Sequence, residues 1–116
     1  KFPNRELDVT LPVFNHYGAA MKLVGRNRLD EFCAQYPDAR GWIENWIADV
    51  EAAVWTTPHH LKARYPSASL LGGGVTIFNV KGNDYRLETT IAYRTGTVVV
   101  LWMGTHAEYD KRSNRR

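Results

Sequence analysis

The chain has 116 residues and a formal net charge of +3, with 44% of its residues hydrophobic and 23% charged. A single domain of this size buries a core without staples, and such a composition excludes disorder along most of the length. No apolar run reaches the roughly 20 residues of a bilayer-crossing helix, and one cysteine, Cys33, excludes both an internal disulfide and a paired-cysteine zinc site.

Residues 1–20 hold Pro3 and Pro12, show no sustained period, and end in Gly18-Ala19-Ala20 before Met21. They are expected to be an N-terminal extension outside the fold, with the domain proper over residues 21–116. No basic start followed by an apolar stretch marks a secretion signal, and a cytoplasmic location is expected. Lys22-Leu23-Val24 reads as a short strand, at one edge or beside the last strand. Leu29, Phe32, Cys33 and Tyr36 recur at i, i+3, i+4 and i+7, one face of a helix that Pro37 stops. Cys33 on that stripe is a packing residue rather than a nucleophile. A second helix is expected from about Ala39 to Val54, with Asp38 as N-cap and Ile43, Trp46, Ile47, Val50 and Val54 on its buried face. Thr57-Pro58 opens a short third helix that ends before Pro66. Its neighbours His59 and His60 point in different directions and form no metal-binding pair.

From Gly72 the period changes to two. Val75–Val80, Tyr85–Tyr93 and Thr97–Met103 are rich in β-branched and aromatic residues. Short turns at 81–84 and 94–96 join them into an antiparallel meander. Helices first and hairpins second make an α+β domain. Within the second strand, Arg86 shares a face with Glu88 and Thr90, opposite Leu87, Thr89 and Ile91. On an open sheet face Arg86 is either a solvent-facing partner of a carboxylate or a bidentate phosphate ligand. Lys81, in the preceding turn, offers a second cation.

After the last strand comes Gly104-Thr-His-Ala-Glu-Tyr-Asp-Lys111. Thr105 and Glu108 have capping-box spacing, so a helical turn begins there. Within it His106, Tyr109 and Asp110 share one face at i, i+3 and i+4. An imidazole at the positive end of a helix dipole suits general-base work, although a lone histidine after a strand is more often structural. Phosphate-binding glycine loops, dinucleotide fingerprints and metalloprotease helices are missing, and no carboxylate or histidine cluster calls for a metal. No metal and no cofactor are therefore expected.

Tyr65-Pro-Ser-Ala-Ser69, Phe78-Asn-Val-Lys-Gly-Asn-Asp-Tyr-Arg-Leu87 and Gly104–Lys111, in that order, resemble the recurring blocks of HigB toxins in the RelE-like superfamily. The resemblance runs from roughly Met21 to Lys111. It implies an antiparallel sheet carrying two N-terminal helices with a short C-terminal helical turn. It also implies cleavage of messenger RNA, often on the ribosome, and neutralisation by a cognate HigA-like antitoxin with a helix-turn-helix DNA-binding domain. By the same resemblance Arg86 matches an arginine in a Tyr-Arg-Leu strand context, Lys81 is the nearest match to the cations before it, and Tyr109 falls near a functional tyrosine. His106 stands near a position where relatives carry an arginine, so its acid–base role departs from the pattern. Lys111 and Arg112 in the basic C-terminal stretch are expected to contact RNA. Three other readings stay open: a non-catalytic RNA- or ribosome-binding module, a superfamily toxin directed at another target such as gyrase, and a catalytically dead partner acting only in repressor complexes.

Overall fold

The computed structural model describes residues 21–114; the expected N-terminal extension over residues 1–20 lies outside them. Strand β1 (Lys22–Val24) leads through Gly25 into helix α1 (Arg26–Gln35). Gly25 has φ +95°, and a Cβ there would lie 3.0 Å from the Val100 carbonyl oxygen, so only glycine lets the chain turn this tightly against the sheet. Leu29 and Cys33 are buried, and α1 stops before Pro37 as the sequence predicts. Burial pushes the Cys33 thiol above its ordinary range, which suits packing and not nucleophilic attack.

A single 3-10 turn, Pro37–Ala39, precedes α2 (Arg40–Ala52). This turn overturns one expectation: Ala39, not Asp38, occupies the N-cap, and no side chain caps α2. Ile43, Trp46, Ile47 and Val50 are buried as predicted, but Val54 is 42% exposed. The helix ends at Ala52 and Ala53 is already extended, so Val54 has left the stripe. α3 (Pro58–Arg64) is capped by Thr57, whose side chain accepts from the His60 amide, and its two histidines are exposed.

The remaining strands are β2 (Ser69–Leu70), β3 (Val75–Val80), β4 (Tyr85–Ala92) and β5 (Thr97–Thr105), followed by α4 (His106–Ser113). The sheet order is β1-β5-β4-β3-β2. β3, β4 and β5 form the expected antiparallel meander. β1 runs parallel to β5, so the sheet is mixed and not purely antiparallel. β2 was not anticipated, because two residues carry no period. The α+β class stands, with α4 longer than the single turn expected.

The core joins the helices to one face of the sheet. Trp46 packs edge-on against Phe78 with ring centroids 5.3 Å apart, and Leu87, Val98 and Val100 complete the layer. Each such side chain contributes roughly 1.5–3 kcal/mol by leaving water.

Candidate functional site

The other face of β4 and β5 carries the polar residues. Across this pair Arg86 stands opposite Gly104 and Glu88 opposite Trp102, whereas Thr89 stands opposite Val100. Leu101 is therefore an extra residue, a bulge that flips the alternation of β5. Val98 and Val100 point into the core, and past the bulge Met103 takes that role while Trp102 turns to the opposite face with Glu88.

α4 begins directly at the end of β5. Its start is fixed by a reciprocal capping box: Thr105 Oγ1 accepts from the Glu108 amide at 3.1 Å, and Glu108 Oε1 accepts from the Thr105 amide at 2.8 Å. The His106 amide also donates to the Asp84 carbonyl at 3.0 Å, anchoring the helix to the β3–β4 turn. From its last turn α4 returns Arg112 to the sheet, where Nε donates to Glu88 Oε1 at 3.1 Å. The Arg112 guanidinium lies 5.1 Å from the Trp102 ring centroid, and the Tyr109 ring is 6.2 Å from the same indole. Gly104 makes room for this arrangement, since a Cβ there would come within 2.4 Å of the Trp102 ring.

Arg86 is not on an open face. It is 9% exposed, and its guanidinium donates to the Tyr85 carbonyl at 3.0 Å, the Asn83 carbonyl at 3.3 Å and Asn83 Oδ1 at 2.7 Å. The Asn83 acceptors come from the short β3–β4 turn, and Glu88, on the same face of β4, accepts from Arg112. Lys81 adopts a left-handed backbone conformation (φ +53°) and donates to Asp38 at 2.9 Å. His106 Nε2 lies 3.2 Å from Asp110 Oδ2, as the i, i+4 spacing predicts. Tyr109 leans on Trp102. Arg86 and His106 thus sit at the same end of the β4–β5 pair.

A cleft of about 750 Å³ opens between α1, β5 and α4. α1 contributes Phe32, Gln35 and Tyr36 to its lining, β4 and β5 contribute Glu88, Trp102 and Met103, and α4 contributes Glu108, Lys111 and Arg112. Lys111 and Arg112 were expected RNA contacts; Arg86, His106, Tyr109 and Lys81 are not among its lining residues. Trp102 and Glu88 were missed by sequence reasoning. The available signal was Glu88 itself: a carboxylate in the middle of a central strand requires a cation somewhere.

On the far side of the β3–β4 turn Asp38 accepts from Tyr85 as well as Lys81. The Tyr85 hydrogen bond, and then that of Lys81, hold the Asp38 carboxyl below its usual range. The same bond to Asp38 pushes the Tyr85 phenol up to about 12.

Among the described residues, no group of three or more His, Cys, Asp or Glu side chains is placed to hold a metal ion, and no helix is long and apolar enough to cross a membrane. Residues 39–112 match the family model of HigB toxins, described as the RelE-like toxic component of a toxin–antitoxin system. No curated protein matches the chain.

Proposed function

The chain belongs to the HigB family of RelE-like toxins, the toxic components of toxin–antitoxin systems, and from this we infer that it is a metal-independent endoribonuclease. It cuts messenger RNA on the ribosome, in the cytoplasm, and so blocks translation. A cognate antitoxin follows from the family, and a HigA-like protein with a helix-turn-helix DNA-binding domain is the partner we propose. The observation that carries the nuclease reading is the placement of Arg86 and of His106, which follows Thr105, at the same end of the β4–β5 pair. A purely binding surface has no need of a proton-transfer group at that place.

Cleavage without a metal needs three things. A base removes the proton of the 2′-hydroxyl, whose oxygen then attacks phosphorus. Cations offset the charge on the phosphorane, and an acid protonates the 5′-oxygen as its bond to phosphorus breaks. His106 is assigned to proton transfer. With Nε2 facing Asp110, Nδ1 is the nitrogen left for the substrate, and the carboxylate orients the ring. Arg86 is assigned to the phosphate, and Lys81 joins it by giving up its ion pair with Asp38. Arg86 is already held by its turn, which favours a charge fixed in place before the transition state. Tyr109 orients the ribose or base.

The test is incubation of the purified chain with messenger RNA, with and without ribosomes. Site-specific cuts support the nuclease. Binding without any cut supports an RNA- or ribosome-binding module, and neither outcome directs attention to another target such as gyrase.

A further inference from the structure

The Glu88 side chain is 7% exposed, yet it accepts a hydrogen bond from an arginine that is 41% exposed and belongs to the last turn of the terminal helix. Burying a carboxylate costs several kcal/mol unless it is paired. A surface arginine has no need of so expensive a partner for stability alone. The arrangement does fix one thing, the plane of the Arg112 guanidinium. Glu88 takes Nε, and Trp102 supports the face of the group from below. That bond uses Nε and neither of the two terminal nitrogens, the pair that can hold an anion bidentately. Arg112 lines a cleft that also holds Lys111 and the stacked rings of Phe32 and Tyr36, 4.6 Å apart.

We propose that this cleft is a nucleotide subsite for single-stranded RNA, in which Glu88 and Trp102 position Arg112 to clamp a backbone phosphate. The neighbouring base enters the aromatic lining between α1 and α4. Two cations, Lys111 and Arg112, face two carboxylates, Glu88 and Glu108, so the cleft as a whole is not an anion trap. Glu108 is occupied by the capping box and Glu88 by Arg112, which leaves local cationic forks beside flat apolar surface. That combination matches a nucleotide, with its charged phosphate and its uncharged base. The proposal rests on the RNA-directed reading above. It adds a binding site distinct from the Arg86 and His106 end of the strands, and two positioning residues for it.

The test is binding of a fully 2′-O-methylated RNA oligonucleotide, which cannot be cut, to the full-length chain free of antitoxin. Glu88→Gln is the informative variant. It removes a negative charge beside a polyanion, so plain electrostatics gives tighter binding, whereas loss of positioning gives weaker binding. We expect Kd to rise about fivefold or more for Glu88→Gln and for Arg112→Lys, which keeps the charge but loses the fork. Arg112→Ala should also lower the slope of log Kd against log salt by about 0.7, one phosphate contact on a single strand. Equal or tighter binding by Glu88→Gln, wild-type binding by Arg112→Lys, or an unchanged salt slope overturns the proposal. Should Glu88→Gln fail to fold, Arg112→Lys decides on the same threshold. If these variants weaken antitoxin binding but not oligonucleotide binding, the cleft is a protein interface and the proposal is overturned. Cleavage of unmodified RNA, followed in parallel, separates the two failures. A wild-type chain that cuts RNA while the variants bind normally defeats only the subsite, whereas a wild-type chain that neither binds nor cuts RNA defeats the nuclease reading as well.

Discussion

The Asp38 carboxylate accepts the Tyr85 hydroxyl at 2.6 Å, tying the turn before α2 to the first residue of β4 across 47 positions of sequence. The bond couples helix placement to the strand that carries Arg86, and it has a pH signature. Asp38 is lowered, first by Tyr85 and then by Lys81, so its contribution is present above the ordinary carboxylate range and is lost as pH falls through the folded value. Tyr85 is raised to about 12, so its contribution is present below the ordinary phenol value and is lost as pH rises through about 12. Asp38→Asn should therefore lower the unfolding midpoint most between about pH 5 and 9, and the difference from wild type should shrink toward both extremes. Thermal unfolding followed by circular dichroism across pH measures this. A difference that stays constant with pH contradicts it.

Core and surface apolar residues should separate cleanly. Leu87 is fully buried in β4, and Leu87→Ala should cost about 2–5 kcal/mol in denaturant unfolding. Val54, 42% exposed beyond the end of α2, should cost under about 0.5 kcal/mol when changed to alanine. Comparable losses at the two positions would contradict the observed end of α2.

Gly104→Ala tests the docking of α4. The added methyl would lie 2.4 Å from the Trp102 ring and 2.8 Å from the capping carboxylate of Glu108, both of which must move. Overpacking of this kind costs about 1–3 kcal/mol, and here it should also change the near-ultraviolet circular dichroism of the indole. An unchanged spectrum and unchanged stability would show that Trp102 lies elsewhere.

Much of this was legible in the sequence because the local patterns are strong. The alternation from Tyr85 to Ile91 marks both faces of β4, the stripe Ile43, Trp46, Ile47 and Val50 marks α2, and Thr105 with Glu108 marks the start of α4. The bulge at Leu101 was not legible. Residues 98–103 are apolar throughout, so the run reads the same in either parity and does not reveal that Trp102 leaves the core face. The Glu88–Arg112 bond spans 24 positions and Asp38–Tyr85 spans 47, distances that no local period encodes. Asp38 carries the marks of an N-cap, and only the 3-10 turn after Tyr36 redirects it to Tyr85 and Lys81.

Two substitutions address the assigned chemistry. Arg86→Ala and His106→Ala should each reduce RNA cleavage by about tenfold to a hundredfold, the range for losing charge stabilisation or a general acid–base group. Unfolding midpoints measured beside the rates separate lost chemistry from the loosened 81–84 turn that Arg86→Ala also produces. Full activity in both folded variants would show that other residues carry the reaction.

The most direct measurement is the chemistry of the cut ends. Messenger RNA is cleaved by the purified chain with a chelator present, at a level that keeps any ribosome intact, and the termini are identified by mass spectrometry. Attack by the 2′-oxygen predicts an upstream product ending in a 2′,3′-cyclic or 3′-phosphate, a downstream product beginning with a 5′-hydroxyl, and no cut where the site carries a 2′-deoxyribose. Cleavage that stops with the chelator, ends in a 3′-hydroxyl and a 5′-phosphate, or proceeds normally at the 2′-deoxy site would contradict the account.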